Sequence, residues 1–514
     1  MTRFNPSYLL GLDVGTTSVK AVITDLNGRV VAECSSEHEL TVTKPGWAEE
    51  NPICWWKGVK ETVKTSLSLS TIDPNEIVGI GVSGQIPTLV LVDKNGEPTR
   101  NAILYSDSRA IGEMRWMKNE IGDEQVFKTT GFAIQQQFWI PKLLWLRRHD
   151  AASLEKAHKI LGSYDFIKLK LSGEFSTDLN NALEAGLLDF EKAGWWTEVL
   201  NTAGISLDLL PDLSKPHEVI GEVSNKAAEE TGLAEGTPIV AGSGDTVCSA
   251  LSASAVEVND LMLMYGTTGC FVFCVDKVLR DPRFYFDYHV VPGMYALNGC
   301  MATSGILLRW FRNQFCQEEH SVATERGMDT YAVLDSKAEA IEAGSEGLII
   351  LPYFMGEKTP INDPHARGVI FGLTTYHTKA HVYRALLEAV AYGFNHQVEI
   401  LRELGCSPKR MLAVNGGARS KTWRQIVTDV IGLPQAYPAK NPGAPQGVAF
   451  IAGIGTRYLK DWNQIREWVK ITEILTPNQG DHNIYTKLYR IYRSVYEHLR
   501  PDFMNLREVL SEPL

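Results

Sequence analysis

The chain has 514 residues and a formal net charge of -11, and 44% of its residues are hydrophobic. This acidic balance excludes a partner bound through clustered lysines and arginines, so no nucleic-acid partner is expected. No apolar run is long enough to span a bilayer and the first residues lack a signal-peptide pattern, so no membrane association is expected. The 8 cysteines form no zinc-type pairs, and a reduced, cytoplasmic setting is predicted.

The first predicted element is a buried strand that starts at Leu9, turns at the Gly-Thr-Thr sequence 15–17 and returns as a second strand to Asp25. Asp13 and Lys20 flank the turn. Backbone amides and hydroxyls donate to phosphate oxygens, and a carboxylate such as Asp13 can hold a hydrated cation. These residues alone indicate a site for a polyphosphate and its metal no more strongly than they indicate an ordinary β-hairpin.

A third strand follows an Asn-Gly turn at 27–28, a pair that favours a tight hairpin. Three antiparallel strands before any helix exclude a P-loop or Rossmann protein, whose chain enters a helix after its first glycine loop. The spacing of apolar residues then predicts a helix over 55–69. The sequence G-x-G-x-x-G at 79–84 is rejected as a dinucleotide fingerprint, because it lies within a predicted strand and another strand follows it.

Two polar stretches carry candidate binding or catalytic groups. Asp107 and Arg109 could hydrogen-bond a polyol, or they could form a surface ion pair of little energetic consequence. Near 232–238, glycines and small residues indicate a domain boundary. The strand after it ends at Asp245, and a small-residue helix is predicted over 246–255. Acids at the end of such a strand often do chemistry, but N-capping, which would lower the pKa of Asp245, is a serious alternative.

The Gly-Thr-Thr turn recurs at 266–268, again between two apolar strands, and Asp276 follows it at the spacing with which Asp25 follows the first turn. Two such copies suggest a duplicated unit. Turns that face each other would clamp a phosphate chain from two sides. The strand after the second turn contains Cys270 and Cys274, which we interpret as small core residues without a disulfide or metal role.

The last third of the chain contains a predicted long helix over 377–401 and a strand over 411–414 that runs into a Gly-Gly pair. Glycines between a strand and a helix let the backbone approach a flat or anionic ligand closely, although a purely steric need for glycine is comparably well supported. A charged and aromatic helix from about residue 483 is predicted to pack back on the body of the protein.

Five motifs, taken in order, resemble the FGGY family of carbohydrate kinases, within the actin, hexokinase and Hsp70-like fold class. They are residues 12–20, 244–245, 265–269, 363–373 and 415–425. The resemblance extends over nearly the whole chain and implies an α/β fold with two actin-like, ribonuclease-H-like domains and a cleft between them. The implied domains are 1–236 on the sugar side and 237–480 with the catalytic and adenosine motifs, followed by a C-terminal helix at 481–514 that packs on the body.

The resemblance also implies roles for individual residues. Asp245 would be catalytic, taking the proton from the attacking sugar hydroxyl, and Asp13 would bind Mg²⁺ directly or through water. The residues that would bind ATP are Thr16, Thr17, Lys20, Gly266, Thr267, Gly416, Gly417 and Ser420. The residues that would contact the substrate, besides Asp245, are Gln85, Ile86, Asp107 and Arg109.

The implied reaction is ATP-dependent phosphorylation of a primary hydroxyl on a small sugar, with a ketopentose such as xylulose favoured. Xylulokinases carry Gln-Met-His where this chain has Gln85, Ile86 and Pro87, and proline cannot offer the hydrogen bond of that histidine. Polyols such as glycerol or erythritol therefore remain alternatives, as does gluconate, for which Arg109 is the candidate cation. A non-catalytic ATP-binding scaffold is a further alternative. The sequence leaves open whether the protein forms a homodimer.

Overall fold

The computed structural model describes residues 7–438 and 440–511. The chain divides into two compact units. The first unit comprises Met1–Val256, Asp276–Ala296 and Pro442–Val469. The second unit comprises Glu257–Val275, Leu297–Asn441 and Lys470–Leu514. No helix in the described ranges combines the length and the apolar character needed to cross a membrane.

Runs of strands and runs of helices are interspersed along the chain. The strands are β1 (Tyr8–Val14), β2 (Ser18–Asp25), β3 (Val30–Glu37), β4 (Glu49–Glu50), β5 (Ile77–Gly84), β6 (Val90–Val92), β7 (Ala102–Ile103), β8 (Lys159–Leu161), β9 (Ser176–Asp178), β10 (Leu188–Asp189), β11 (Gly194–Trp195), β12 (Asp212–Ser214), β13 (Val219–Glu222), β14 (Pro238–Val240), β15 (Asp260–Tyr265), β16 (Gly269–Val275), β17 (Tyr285–Tyr288), β18 (Tyr295–Met301), β19 (Ile349–Leu351), β20 (Val369–Phe371), β21 (Arg410–Val414), β22 (Gln435–Pro438) and β23 (Ile471–Leu475). The helices are α1 (Pro52–Ser70), α2 (Ile111–Glu120), α3 (Asp123–Thr130), α4 (Trp139–His149), α5 (Ala151–Glu155), α6 (Ser163–Ser172), α7 (Leu179–Glu184), α8 (Thr197–Ala203), α9 (Asn225–Thr231), α10 (Asp245–Ser252), α11 (Gly305–Phe315), α12 (Gln317–Glu325), α13 (Thr330–Glu339), α14 (Lys379–Glu403), α15 (Lys421–Ile431), α16 (Ala444–Gly455), α17 (Ile465–Trp468) and α18 (Gln479–Ser511).

The sheet of the first unit has six strands in the order β13-β14-β5-β1-β2-β3. β1 pairs antiparallel with β2, and β2 antiparallel with β3, so the three predicted antiparallel strands are confirmed. β1 is parallel to β5, and β5 is parallel to β14. β1 and β5 are buried almost throughout. Strands covered on both faces read as continuous apolar runs, which is why β1 could be recognised from its sequence.

Glycines in two central strands let α16 lie directly against the first sheet. A Cβ atom on Gly11 of β1 would stand 1.8 Å from the carbonyl oxygen of Pro445, and one on Gly81 of β5 would stand 2.3 Å from that of Val448. Neither position has room for a side chain, because non-bonded heavy atoms pack about 3.5 Å apart. Gly81 belongs to the rejected dinucleotide motif, and its role is this close approach of helix and strand.

Six strands of the second unit follow the order β18-β16-β15-β21-β22-β23. β15 is antiparallel to β16 and parallel to β21, as β1 is to β2 and β5. β21 is parallel to β22, and β22 is antiparallel to β23, as β14 is to β13. The strand order of the first sheet is therefore repeated, with β15 in the place of β1. The duplication that the two Gly-Thr-Thr turns predicted is confirmed.

The predicted long helices are confirmed, with small shifts at their ends. The helix predicted over 55–69 begins at Pro52, because the side chain of Asn51 accepts a hydrogen bond from the backbone N–H of Ile53 (3.0 Å) and proline suits the first helical turn. The helix predicted over 377–401 is α14, and the predicted C-terminal helix is α18. Within the second unit, α18 packs against α15.

The prediction about the cysteines is wrong in one respect. Cys270 lies on β16 and Cys300 on the neighbouring strand β18, and the two form a disulfide. The sequence analysis compared Cys270 only with Cys274, because the two are close along the chain and lie on the same strand. The pairing of neighbouring strands instead brings Cys270 next to a cysteine that is distant along the chain. Cys274 is a buried core residue, as predicted.

Candidate active site

The parallel strands of the first unit bring three predicted site segments to one edge of its sheet. Val14, at the end of β1, is in register with Gly84 of β5, and Gly84 forms a parallel bridge with Gly244. The residues that follow these three positions leave the same edge of the sheet. They are the 15–17 turn, Gln85 and Asp245. Ligands of open α/β sheets bind beyond this carboxyl edge of the strands.

Asp13 lies on β1 just before the first Gly-Thr-Thr turn. Its carboxylate accepts a hydrogen bond from the Ser83 hydroxyl (2.9 Å), and Asp13 is paired in register with Lys20 across the hairpin. Burial raises the pKa of Asp13, while the bond from Ser83 and the charge of Lys20 lower it. Thr17 and Lys20 are exposed. The turn thus offers one buried carboxylate together with exposed hydrogen-bond donors.

The first turn is closed by its own backbone and tied to β5. The N–H of Gly15 donates to the carbonyl of Ser18 (3.0 Å). The Thr16 hydroxyl donates to Oε1 of Gln85 (3.2 Å), and Nε2 of Gln85 donates to Oε2 of Glu50 (3.2 Å). Gln85 and Glu50 are both buried. The turn, the end of β5 and β4 therefore form one hydrogen-bonded chain that fixes the position of Thr16.

Two residues of this group were missed by sequence reasoning. Burial raises the pKa of Glu50 to about 7, although the indole N–H of Trp55 donates to its carboxylate (2.6 Å) and lowers it. Burial also raises the pKa of Tyr105; a hydrogen bond with Thr16 lowers it, and the charges of Asp245 and Glu50 raise it. The sequence feature that could have indicated Glu50 is an acidic residue just before the start of a helix, in a segment rich in tryptophan.

Asp245 is the first residue of α10, and the N-cap of this helix is Gly244. The alternative in which Asp245 caps the helix and has a lowered pKa is therefore wrong. Burial raises the pKa of Asp245 to about 7, with a further contribution from the charge of Asp13, whereas hydrogen bonds from Thr246 and the charge of Lys20 lower it. A carboxyl group with a pKa near neutrality can take a proton from a hydroxyl and release it again, as a general base must.

A buried polar network holds the segment that carries Asp245. The Ser243 hydroxyl donates to Asp178 (2.8 Å), and the side-chain amide of Asn180 donates to the Ser243 hydroxyl (3.0 Å). Lys168 donates to a backbone carbonyl of the same segment (2.7 Å). All four side chains are buried. The position of Asp245 is thus set by α6, α7 and the residues between them.

The predicted substrate-side residues fall into two groups. Ile86 packs directly against the residue before Asp245, since a Cβ atom on Gly244 would lie 2.4 Å from Cδ1 of Ile86. Gln85 reaches the same sheet edge, but its side-chain amide is hydrogen-bonded to other side chains of the protein. Ile86 therefore presents an apolar side chain beside Asp245.

Asp107 and Arg109 form the second group, and they bind each other. Nε and Nη2 of Arg109 donate to the two carboxylate oxygens of Asp107 (2.9 and 2.7 Å). Nη1 of Arg109 lies 2.7 Å from Glu49, and the guanidinium lies 3.9 Å from the ring centre of Trp47. Both side chains of the pair are fully buried, so the alternative of a surface ion pair is wrong. These contacts fix the polypeptide around Tyr105.

The second unit contains a cavity of about 870 Å³ beside the carboxyl ends of β15 and β21. The predicted ATP-binding residues of the second half of the chain all line it. They are Gly266, Thr267, Gly416, Gly417 and Ser420. A volume of this size is typical of sites for nucleotide-sized molecules.

Two adjacent glycines of this cavity serve different purposes. A Cβ atom on Gly417 would lie 2.6 Å from the Trp423 ring and 2.8 Å from the carbonyl oxygen of Tyr265, so glycine is required there by packing. A Cβ atom on Gly416 would meet no atom within 4 Å. Gly416 therefore leaves an open, flat stretch of backbone, which suits a planar ligand group.

The second Gly-Thr-Thr turn is held by the start of α11. The N–H of Gly305 donates to the carbonyl of Gly266 (2.9 Å), and the N–H groups of Ser304 and Ile306 donate to the carbonyl of Thr267 (3.2 and 3.1 Å). Thr267 is exposed. Because α11 binds the carbonyl groups of the turn, the Thr267 side chain is held in place without being covered.

Asp335 and Arg309 also line the cavity; both lie on helices and belong to no motif, which is why sequence reasoning missed them. Asp335 of α13 accepts a hydrogen bond from Tyr383 of α14 (2.9 Å). Burial raises the pKa of Asp335, and hydrogen bonds from Ser420 and Tyr383 lower it. Ser420 also accepts from the backbone N–H of Trp423 (3.0 Å) as the N-cap of α15. Arg309 of α11 lines the same cavity.

Two α/β units with the same strand order, glycine-containing turns at corresponding strand ends and an acid beside one of them define the actin-like sugar-kinase fold. Proteins with this architecture include phosphotransferases that act on sugar hydroxyls. Residues 8–252 match the N-terminal domain, and residues 261–456 the C-terminal domain, of the FGGY family of carbohydrate kinases. The chain belongs to this family.

Comparison with individual proteins agrees with this assignment. The xylulose kinase of Bacillus subtilis (strain 168) is 28% identical over 496 residues, which cover 96% of this chain and 97% of the relative. The gluconokinase of the same organism is 30% identical over 508 residues, covering 98% and 96%. The crystal structure of xylulose kinase from Rhodospirillum rubrum has a TM-score of 0.88 at 36% identity, covering 97% of this chain and 100% of that chain. The chain is a carbohydrate kinase, and its relatives are named for different acceptors.

Proposed function

We propose that this protein transfers the γ-phosphoryl group of ATP to a primary hydroxyl of a small sugar, with a ketopentose such as xylulose as the favoured acceptor. One observation carries the proposal: the register of Val14, Gly84 and Gly244 leaves Asp245 and the first Gly-Thr-Thr turn at the same sheet edge. A base and a phosphate-binding turn at one edge are what phosphoryl transfer to an alcohol requires. The xylulose kinase relatives support the choice of acceptor.

In the proposed reaction Asp245 is the general base. The acceptor oxygen forms a bond to the γ-phosphorus, its proton passes to the Asp245 carboxylate, and the bond between the γ-phosphorus and the oxygen of the departing ADP breaks. Such help contributes about 10²- to 10⁴-fold to the rate. The transition state is loose, so the remaining acceleration comes from positioning and from stabilising the charge on the phosphoryl oxygens. Thr16, Thr17 and Lys20 would supply donors for those oxygens.

The second unit would hold the nucleotide. The cavity of about 870 Å³ is large enough for it, and the open backbone at Gly416 gives its base or ribose a flat surface. Gly417 and Ser420 would line the adenosine, and Gly266 and Thr267 the phosphates. Arg309 would add positive charge at the wall of the same cavity.

Asp13 would hold a magnesium ion. Among residues 7–438 and 440–511, no group of three or more His, Cys, Asp or Glu side chains is arranged to hold a metal. Mg²⁺ does not need such a group, because it binds through one or two carboxylates while phosphate oxygens and water complete its shell. The ion would neutralise charge on the phosphate chain as it transfers. Asp13, fixed by Ser83, supplies the protein ligand.

On the acceptor side we assign direct contact to Ile86 and Gln85, beside Asp245. Asp107 and Arg109 contribute by holding the segment of Tyr105, whose hydroxyl shares a hydrogen bond with Thr16. A ketopentose would place apolar carbon atoms against Ile86 and its hydroxyls toward the polar groups around it.

An ADP-release assay with ATP and Mg²⁺ tests the proposal across acceptors: pentuloses, hexuloses, glycerol, erythritol and gluconate. The expected result is strong acceptor-dependent ADP formation, highest with a ketopentose. A protein that binds ATP but shows the same slow turnover with and without every acceptor would instead be an ATP-binding scaffold. Mass spectrometry of the product, with the phosphate on a primary hydroxyl, completes the test.

A further inference from the structure

His38, the residue after β3, contacts the backbone of the first Gly-Thr-Thr turn at two points. Its own backbone N–H donates to the carbonyl of Thr17 (3.0 Å). Nε2 of its ring lies 3.1 Å from the carbonyl oxygen of Gly15. A carbonyl oxygen only accepts hydrogen bonds, so Nε2 carries a hydrogen atom and donates this one. His38 therefore holds the backbone of the turn on both sides of Thr16.

Glu50 of β4 lies next to both side chains that hold this turn. Nε2 of Gln85 donates to Oε2 of Glu50 (3.2 Å), and Oε1 of the same Gln85 accepts from the Thr16 hydroxyl (3.2 Å). Oε2 of Glu50 also lies 3.7 Å from Nδ1 of His38. Glu50 thus connects to the turn by two routes, through the Gln85 amide to Thr16 and through the His38 ring to Gly15.

The His38 and Glu50 side chains are buried and face each other with unused hydrogen-bonding capacity. They are 5% and 1% exposed. Among residues 7–438 and 440–511, neither Nδ1 of His38 nor Oε1 of Glu50 has a hydrogen-bond partner. Leaving buried polar atoms unpaired is costly, because the hydrogen bonds they would make to water are lost. A small rotation of either side chain would bring Nδ1 within hydrogen-bonding distance of the Glu50 carboxyl group.

The protonation states of the two groups decide which of them donates. Because Nε2 holds the hydrogen atom, Nδ1 of the neutral ring is an acceptor. Burial lowers the pKa of His38, which favours the neutral ring, although the bond to Gly15 raises it. Burial raises the pKa of Glu50 to about 7, so a large share of this side chain is protonated near neutral pH. A protonated carboxyl group can donate to Nδ1, and that bond selects the tautomer with its hydrogen on Nε2.

We propose that His38 and Glu50 are positioning residues of this kinase: the Glu50 carboxyl group fixes the tautomer of the His38 ring, and the ring holds the first Gly-Thr-Thr turn in the conformation that binds the phosphates of ATP. The inference rests on the proposed function and adds two residues to its phosphate site. A carbonyl oxygen repels a phosphate oxygen. Bonding the carbonyl groups of Gly15 and Thr17 to His38 orients them toward that residue and leaves the hydroxyl groups of the turn for the phosphates.

His38→Ala in the full-length protein tests the proposal in the ADP-release assay. The variant keeps the backbone bond to Thr17 and loses the bond to Gly15. It is expected to raise the KM for ATP about tenfold, the effect of losing a hydrogen bond that serves a charged group, and to leave the KM for the acceptor unchanged. In His38→Gln the side-chain amide can reach Gly15 as Nε2 does, so most of the ATP affinity should return. His38→Asn is too short to reach and should behave as His38→Ala, and it replaces that variant if the alanine protein fails to fold.

Two variants of Glu50 test its part in the arrangement. Glu50→Ala removes the group beside Nδ1 and is expected to raise the KM for ATP about tenfold as well. In Glu50→Gln the side-chain amide can donate to Nδ1, as the protonated carboxyl group does, and can still accept from Trp55 and Gln85. Glu50→Gln is therefore expected to recover most of the ATP affinity that Glu50→Ala loses.

The matched control is His217→Ala. His217 is a half-buried histidine of the first unit whose pKa is also lowered by burial, and its ring packs on Trp462. This variant is expected to leave the KM for ATP unchanged.

The positioning role is overturned, with the kinase function intact, if His38→Ala keeps the wild-type KM for ATP or if either glutamine variant is as impaired as its alanine counterpart. A fall in kcat with both KM values unchanged also overturns it, because loss of folded enzyme alone produces that result. Absence of acceptor-dependent ADP formation by the wild type with every acceptor overturns the proposed function itself, and this inference with it.

Discussion

Gly11→Ala tests whether the close contact between α16 and the first sheet is as tight as the structure indicates. The added Cβ atom would stand 1.8 Å from the carbonyl oxygen of Pro445 and 3.1 Å from the Cβ atom of Ala449. The first distance involves backbone, which cannot turn aside as a side chain can, so the helix must move by more than an ångström. Overpacking of this kind costs about 3 kcal/mol, and the gain from replacing a strand glycine offsets about 0.5–1 kcal/mol of it.

The expected net loss is about 2 kcal/mol of unfolding free energy in the first unit. Equilibrium unfolding in urea, followed by tryptophan fluorescence, measures it. Gly112→Ala is the control: a Cβ atom there meets nothing within 4 Å, and the position lies in α2. That variant is expected to be neutral or up to about 1 kcal/mol more stable. A Gly11→Ala protein as stable as the wild type would refute the packing argument, since no relaxation of side chains can relieve a clash with backbone.

Three further predictions concern the second unit. Burial raises the pKa of Glu357 from 4.5 to about 7, so the stability that its protonated form contributes is complete below pH 4.5 and is lost as the pH rises through 7. Glu357→Gln should therefore reduce the fall of the urea unfolding midpoint between pH 4.5 and 7. An unchanged fall in the variant would contradict the raised pKa of Glu357. Ser420→Ala removes the N-cap of α15 and should lower the unfolding free energy by about 1 kcal/mol, measured by urea unfolding; a change below about 0.3 kcal/mol argues against the cap. In Gly416→Val the new side chain extends into open space, so the variant should fold normally while its KM for ATP rises about tenfold. In Gly417→Val the new side chain collides with packed atoms, so that variant should lose stability. Normal ATP binding by Gly416→Val would show that Gly416 does not belong to the nucleotide site.

Local sequence patterns were sufficient for the parts of the fold that depend on neighbouring residues. The first hairpin, the recurrence of its turn and the long helices were predicted because burial, turn chemistry and helical period are written in contiguous stretches. The duplication at 15–17 and 266–268 was visible because both turns keep the same three residues. Identification of the family followed from the order of five such stretches.

Contacts between distant segments could not be predicted. The pairing of Cys270 with Cys300 depends on the order of strands in the second sheet, which no spacing along the chain encodes. Burial of Arg109 between two acids depends on where the segment of Glu49 runs. Such contacts between distant segments set the burial and hydrogen bonding of individual side chains, whereas the contiguous motifs identify the family.

The central claim is that Asp245 acts as the general base of a sugar kinase, and the kcat of Asp245→Asn tests it most directly. The variant is expected to keep the unfolding midpoint and the ATP affinity of the wild type, because Asn occupies the same space at the start of α10. Its kcat with the preferred acceptor should fall by about 10³-fold, within the range that general-base catalysis contributes. A folded Asp245→Asn protein that binds ATP and phosphorylates its acceptor at the normal rate would contradict the claim.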